Sequence, residues 1–179
     1  MPRWLSGHLL VASPTIGDPS FTRTVVLLVD HDEEGALGVV LNRPTTTAVE
    51  VAVPDLSGLF SPEDVVHDGG PVQPEALLTV AEFRDPADAA LLVLGRVGMV
   101  RGDDDEAPDV DRARAYAGYA GWAPGQLEEE LGRGDWIALP ARPDDLFLPE
   151  AEELWTRALE RLGGPFARLA HPPEDPSVN

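Results

Sequence analysis

Two apolar runs lying close together constrain this chain more than any other feature. Thr24-Val-Val-Leu-Leu-Val29 and Ala36-Leu-Gly-Val-Val-Leu41 are each continuous, partly β-branched, and separated by six residues. A run without polar alternation reads as a strand covered on both faces. The turn-like stretch Asp30 to Gly35 predicts that the two strands form a hairpin. With neither face free for water, the hairpin needs packing material above and below it.

The remaining segments supply that material in short pieces. His8 to Ala12 reads as a first strand and Ser13 to Ser20, with Pro14, Gly17 and Pro19, as a loop. Asn42-Arg43-Pro44 ends the second hairpin strand, because proline cannot donate to a ladder. The stretch 45–60 is ambiguous, although Thr46 or Thr47 can cap a short helix. Val65-Val66, Ala76 to Val80, Leu91 to Leu94 and Trp136 to Leu139 read as further strands, and Gly102 to Asp109 as an exposed acidic loop. Ala113 to Tyr119 fits either a helix or a strand.

Past Trp122, Pro124 suits the first position of a helix, with Glu128, Glu129 and Glu130 near its positive end. Leu127 and Leu131 share one side of that helix, and Gly132 and Gly134 stop it. The clearest helix spans Glu150 to Leu162. Its stripe is Ala151, Leu154, Trp155, Ala158 and Leu162, Pro149 opens it, Glu153 pairs with Arg157, and Gly163-Gly164 close it. One domain is expected over 1–168, followed by a disordered Pro- and acid-rich tail over 169–179. More strands than helices, irregularly interleaved, argue for an α+β fold rather than a doubly wound sheet.

Composition removes several chemistries. The 179 residues hold 17 glycines and 18 prolines, so turns are frequent. All 13 bases are arginine, against 32 acids, for a net charge of −19. Without lysine there is no Schiff-base chemistry and no standard P-loop. Without cysteine there are no thiol nucleophiles, disulfides, iron–sulfur clusters or Cys-type zinc sites. The acidic balance disfavours nucleic-acid binding, which needs a basic patch. No run approaches the ~18 apolar residues of a membrane span, and Met1 to His8 lacks a long apolar segment. A cytoplasmic protein without cofactor or metal is expected.

Candidate site residues fall in a few loops and strand ends. Asp18 and Phe21 belong to the turn Gly17-Asp-Pro-Ser-Phe21, where Asp18 either caps the loop or faces a ligand. His31, within Asp30-His-Asp32, and His67, within His67-Asp68, are loop histidines beside acids. They are structural, general bases, or together a metal site. Asn42 and Arg43 either hold a substrate anion or tie down a neighbouring loop. Gly69, Gly70 and Gly121 mark glycine turns that either cradle an anion or simply turn beneath Trp122. Gln126 and Glu130 open the helix after it, and Glu130 can act as an acid or base only if buried.

The ordered motifs Gly7-His-Leu-Leu-Val-Ala-Ser-Pro14, Asp18 to Phe21, Thr24 to Leu28, His31, Gly35 to Pro44, Gly69-Gly-Pro-Val72 and Gly118-Tyr-Ala-Gly-Trp-Ala-Pro-Gly-Gln-Leu-Glu-Glu-Glu-Leu131 resemble the YqgE/AlgH family over about residues 5–165. The resemblance implies a bifurcated mixed β-sheet closing into a pseudo-barrel, flanked by helices, with Ala113 to Tyr119 as strand. It also implies a bacterial cytosolic protein, and it implies no catalytic mechanism. Some members are described as transcriptional regulators. Three functions follow as expectations. The favoured one is a regulatory module binding a small molecule or protein, with no nucleic acid or membrane partner. The second is a hydrolase-type enzyme using His31 with Asp18 or Glu130. The third, disfavoured by charge, is a regulator acting on DNA.

Overall fold

The computed structural model describes residues 3–102 and 106–171. Its strands are β1 His8–Ala12, β2 Val25–Asp32, β3 Gly35–Val40, β4 Pro44–Ala48, β5 Val65–Asp68, β6 Val72–Phe83, β7 Leu91–Leu94, β8 Val97–Met99, β9 Val110–Trp122 and β10 Trp136–Pro140. The helices are α1 Val49–Ala52, α2 Gln126–Arg133, α3 Pro143–Leu146, α4 Leu154–Leu162 and α5 Gly164–Ala170. The fold is mixed α+β, with a large, mainly antiparallel sheet.

Both faces of the predicted hairpin are covered, and alternation decides which residue faces which layer. Leu9, Val11, Val25, Leu27, Val39 and Leu41 pack with Leu146, Leu154, Trp155, Ala158 and Leu159 beneath α3, α4 and α5. Their neighbours Leu10, Ala12, Val26, Leu28 and Val40 face the other way, toward Ala120, Trp122, Leu127 and Trp136 on the side of α2. Trp155 anchors α4 by donating its indole N–H to the Ala12 carbonyl at 2.8 Å.

The turn of the hairpin is tighter than the sequence suggests. β2 runs on through Asp30-His31-Asp32, leaving only Glu33 and Glu34 between the strands. Ladder pairing needs backbone groups, not apolar side chains, so the polar residues extend the strand. A bulge at Val29 shifts the register between Leu28 and Asp30. Beyond it His31 pairs with Ala36, a residue of the α2-side layer. The extra residue thus turns His31 to that side.

β9 is where the sheet forks. Along one edge it pairs with β6, from Val72↔Tyr119 to Phe83↔Val110. Along the other it pairs first with β5, in parallel at His67↔Tyr116 and Asp68↔Ala117, and then with β3 at Gly38↔Ala120 to Ala36↔Trp122. Strand therefore wins over helix for Ala113 to Tyr119: small side chains suit a strand hemmed in by neighbours on both edges. The path β10-β1-β2-β3-β9-β6-β8-β7 is open, and no pairing among the described residues joins β7 to β10. The sheet nevertheless curls, bringing Gly7 against the Val93 backbone of β7, where an added Cβ would sit 2.8 Å from the carbonyl oxygen.

Several local expectations need correction. Pro124 does not open α2: the helix starts at Gln126 behind Gly125, which is left-handed at φ 79°. Pro124 and Gly125 instead form a turn in which the Gln126 N–H reaches the Ala123 carbonyl at 3.0 Å. Thr46 and Thr47 cap nothing. They lie in β4, paired with β5, and α1 follows Ala48 without a side-chain cap. The helix expected from Glu150 begins as one 3-10 turn over Ala151–Glu153 before α4. Gly163 closes α4, but Gly164 opens α5, which runs to Ala170 where a disordered tail was expected. The acidic loop and tail fall partly outside the described residues, at 103–105 and 172–179.

The fork depends on close backbone approach. Gly70 has φ 145°, and a Cβ there would meet the Tyr119 carbonyl at 2.3 Å. Gly70→Ala is expected to cost about 3 kcal/mol or more in chemical denaturation, through strain and a clash with backbone that cannot swing aside. Gly132 in α2 has open space around it, so Gly132→Ala is expected to stabilise by roughly 0.5–1 kcal/mol.

Candidate functional site

One cavity gathers residues from four elements. It measures about 350 Å³. The loop before β2 contributes Asp18 and Phe21, the end of β9 contributes Gly121 and Trp122, and α2 contributes Gln126, Glu130 and Arg133. Trp136, the first residue of β10, completes it. The hairpin layout explains this convergence: β9 pairs with β3, β10 pairs with β1, and α2 bridges them by a short turn at each end.

At its centre Glu130 is held by two tryptophans. Its Oε2 accepts the indole N–H of Trp122 and that of Trp136, both at 2.8 Å, and its Oε1 accepts from Gln126 Nε2 at 2.9 Å. The two indoles meet edge to face with centroids 6.0 Å apart, while Phe21 stacks on Trp122 at 6.4 Å and meets Trp136 edge-on at 5.4 Å. Buried indoles require acceptors, and one carboxylate serves both. The Asp18 carboxylate accepts the Ser20 N–H at 2.9 Å, capping the 3-10 turn Pro19–Phe21. Arg133 is engaged with Asp135 at 2.6 Å. With Asp18, Glu130 and Asp135 against one arginine, the cavity is acidic.

The other sequence candidates lie elsewhere. Asn42 is structural: its Oδ1 accepts the Val25 N–H and its Nδ2 donates to the Arg23 carbonyl, both at 2.9 Å. Arg43 ties down the loop before β2 by donating to the Ser20 and Thr22 carbonyls. With Gly70 it lines a separate recess of about 230 Å³ beside Asp68. The Gly69 N–H goes to Ala117 O and the Gly70 N–H to Asp68 Oδ1, so neither amide is free for an anion.

His31 does not join Asp18 or Glu130 as a catalytic pair. Its Nδ1 accepts the Leu5 N–H at 3.1 Å, which leaves the proton on Nε2 to be donated to Glu128 at 2.7 Å. The ring is buried, edge-on to Trp4. The Glu128 carboxyl is held below its usual range, first by its own backbone N–H and then by His31. Glu128 and Glu130 project from different sides of α2, one to the histidine and one to the tryptophans. Nor do the two His-Asp pairs meet, and no group of three or more His, Cys, Asp or Glu among the described residues is arranged to hold a metal ion.

Ile16, Arg133, Asp135 and Trp136 reach the cavity without having been singled out in the sequence. Only Trp136 left a signal, as a large aromatic at the first position of the strand that follows α2.

The architecture is that of a forked-sheet α+β domain with an acid-lined aromatic cavity. Residues 9–167 match the family model described as AlgH-like, and the chain belongs to that family. A UPF0301 protein of Streptomyces coelicolor is 45% identical over 98% of this chain and 95% of its own length. One from Mycobacterium marinum is 42% identical over 97% of this chain and 90% of its own. Among solved structures, a crystal structure of a Corynebacterium diphtheriae protein matches at TM-score 0.84 and 31% identity, covering 96% of this chain and 93% of that one. The solution structure of AlgH from Pseudomonas aeruginosa matches at TM-score 0.74 and 32% identity, covering 98% and 97%. No helix among the described residues is long and apolar enough to cross a membrane.

Removing the acceptor shared by the indoles has a measurable cost. Glu130→Leu is expected to destabilise by about 2–3 kcal/mol in urea titration, because two buried N–H donors lose their partner. Glu130→Gln keeps an acceptor oxygen and is expected to cost less than about 1 kcal/mol.

Proposed function

We propose that this chain is a regulatory module whose aromatic cavity binds a small organic cation, and that it acts without direct contact to DNA. The observation supporting this reading is the convergence of Phe21, Trp122, Trp136 and Glu130 at one concave site of about 350 Å³, a size at the lower end for small-molecule pockets. The half-buried Phe21 ring offers an aromatic face to a cation. The open lone pairs of Asp18 and Glu130 favour positive charge over negative. The net charge of −19 argues against a phosphate-backbone partner, and the engagement of His31 by Leu5 and Glu128 argues against a hydrolytic dyad. A cytoplasmic setting and a sheet functioning as a pseudo-barrel scaffold belong to the same proposal.

Tryptophan emission reports on the site directly, since two of the four tryptophans line it. Titration with tetramethylammonium and with benzylamine is expected to quench emission saturably and to raise the melting temperature. Glu130→Gln is expected to weaken both about tenfold, a loss of roughly 1.4 kcal/mol. Preferential binding of benzoate or inorganic phosphate, or no response to either cation, overturns the reading. No gel shift with duplex DNA is expected at physiological salt.

A further inference from the structure

A second cavity, of about 330 Å³, opens on the far side of the fork, between β5, β9 and the segment leading into α4. Its distinguishing feature is a histidine. His67 is only 5% exposed, yet it lines this cavity. The ring is tilted by 57° against that of Tyr116, with centroids 5.8 Å apart. Its Nδ1 is 3.2 Å from the Val65 carbonyl, an acceptor, so the proton of the neutral ring sits on Nδ1. Nε2 therefore carries a bare lone pair, and no hydrogen bond reaches it among the described residues. The ring is buried, but this nitrogen is not sealed off: it meets the cavity space, where an entering donor can reach it.

The cavity wall adds charge. Glu63, Asp64 and Glu152 line it, against a single cation, Arg114. That arginine is committed to the Leu146 and Leu148 carbonyls, at 2.9 and 3.1 Å. One Asp64 oxygen accepts the Ser61 N–H, and its other lone pairs stay open. Phe60 supplies an apolar floor. A ligand fitting these features bears positive charge for the carboxylates and at least one N–H for His67.

We infer that the cavity around His67 is a second binding site, for a small organic amine in its ammonium form, whose N–H donates to His67 Nε2 while its charge sits among Glu63, Asp64 and Glu152. This site is separate from the tryptophan cavity and does not depend on it. The requirement for an N–H separates the two, because an aromatic face accepts a quaternary ammonium equally well.

The neutral state of the ring is consistent with this role. Burial, and secondarily the Arg114 charge, lower the His67 pKa from 6.5 to about 4. The ring is thus an acceptor at neutral pH. Because the folded value lies below the unfolded one, the neutral ring's contribution to stability is complete above pH 6.5 and is lost as pH falls toward 4. Relative to His67→Asn, the wild-type chain is expected to lose stability as pH falls through that window, read as a falling urea midpoint.

The binding test is nitrogen NMR on the full chain at pH 7, reading the His67 ring and the Trp122 and Trp136 indoles together. Butane-1,4-diamine is expected to move the His67 Nε2 resonance saturably, and tetramethylammonium to leave it unmoved. His67→Asn is expected to weaken diamine binding at least about tenfold, the worth of one hydrogen bond to a charged group. Glu152→Gln, at an exposed position, tests the charge contribution without disturbing the core, and is expected to weaken binding and reduce its salt dependence. Equal response to tetramethylammonium, a diamine response confined to the indoles, or saturation by Zn²⁺ alone with no diamine response, overturns the proposal. A failure at the indoles with a response at His67 overturns only the reading of the first cavity.

Discussion

Everything in this molecule depends on the two edges of β9. A strand has one row of backbone donors and acceptors on each side, and β9 spends one row on β6 and divides the other between β5 and β3. The division makes two sheets separate at a point. Trp122 closes the end of β9 that belongs to β3, and His67 sits opposite Tyr116 in the part that belongs to β5. β9 thus contributes to both candidate cavities, through Trp122 to one and Arg114 to the other. Glycines at 69, 70 and 118 permit the division, because each lies against backbone where a side chain has no room.

The two cavities solve the burial of polar groups differently. Around Glu130 the solution is internal: two indole donors and an amide converge on a carboxylate and hold one another in place. Around His67 the protein satisfies one nitrogen and leaves the other. A site already complete favours recognition by shape and charge. A site with an open acceptor facing the cavity favours recognition by a specific donor, which adds direction to the attraction of charge.

The legible and illegible parts of this fold divide along locality. β1, β2, β3 and the α4 stripe were readable because the pattern of apolar residues carries its own period. The cavity was legible only in part: Asp18, Phe21, Gly121, Trp122, Gln126 and Glu130 meet there, but nothing in the sequence separated them from His31, Asn42, Arg43, Gly69 and Gly70, which lie elsewhere. The parallel pairing of β5 with β9 was not readable, because nothing in Val65 to Asp68 names its partner almost fifty residues on. Pro124 and Thr46 misled for a related reason: each has the chemistry of a helix start, and tertiary pairing assigned each segment another task. The roles of Asn42 and Arg43 as loop ties, and of His31 as a link from Leu5 to Glu128, needed atomic positions to separate them from equally reasonable ligand-binding roles.

The bulge at Val29 has a wider implication. By adding one unpaired residue it reverses the alternation for the last three positions of β2, and that reversal is what lets His31 meet α2 rather than the layer under α4. Length in this hairpin is therefore counted in parity. Losing a single residue would turn an imidazole into a hydrocarbon interior and release Leu5 and Glu128 together, whereas losing two would leave every facing intact and merely shorten the arm. Tolerated length variants of this arm should accordingly differ from it by even numbers of residues.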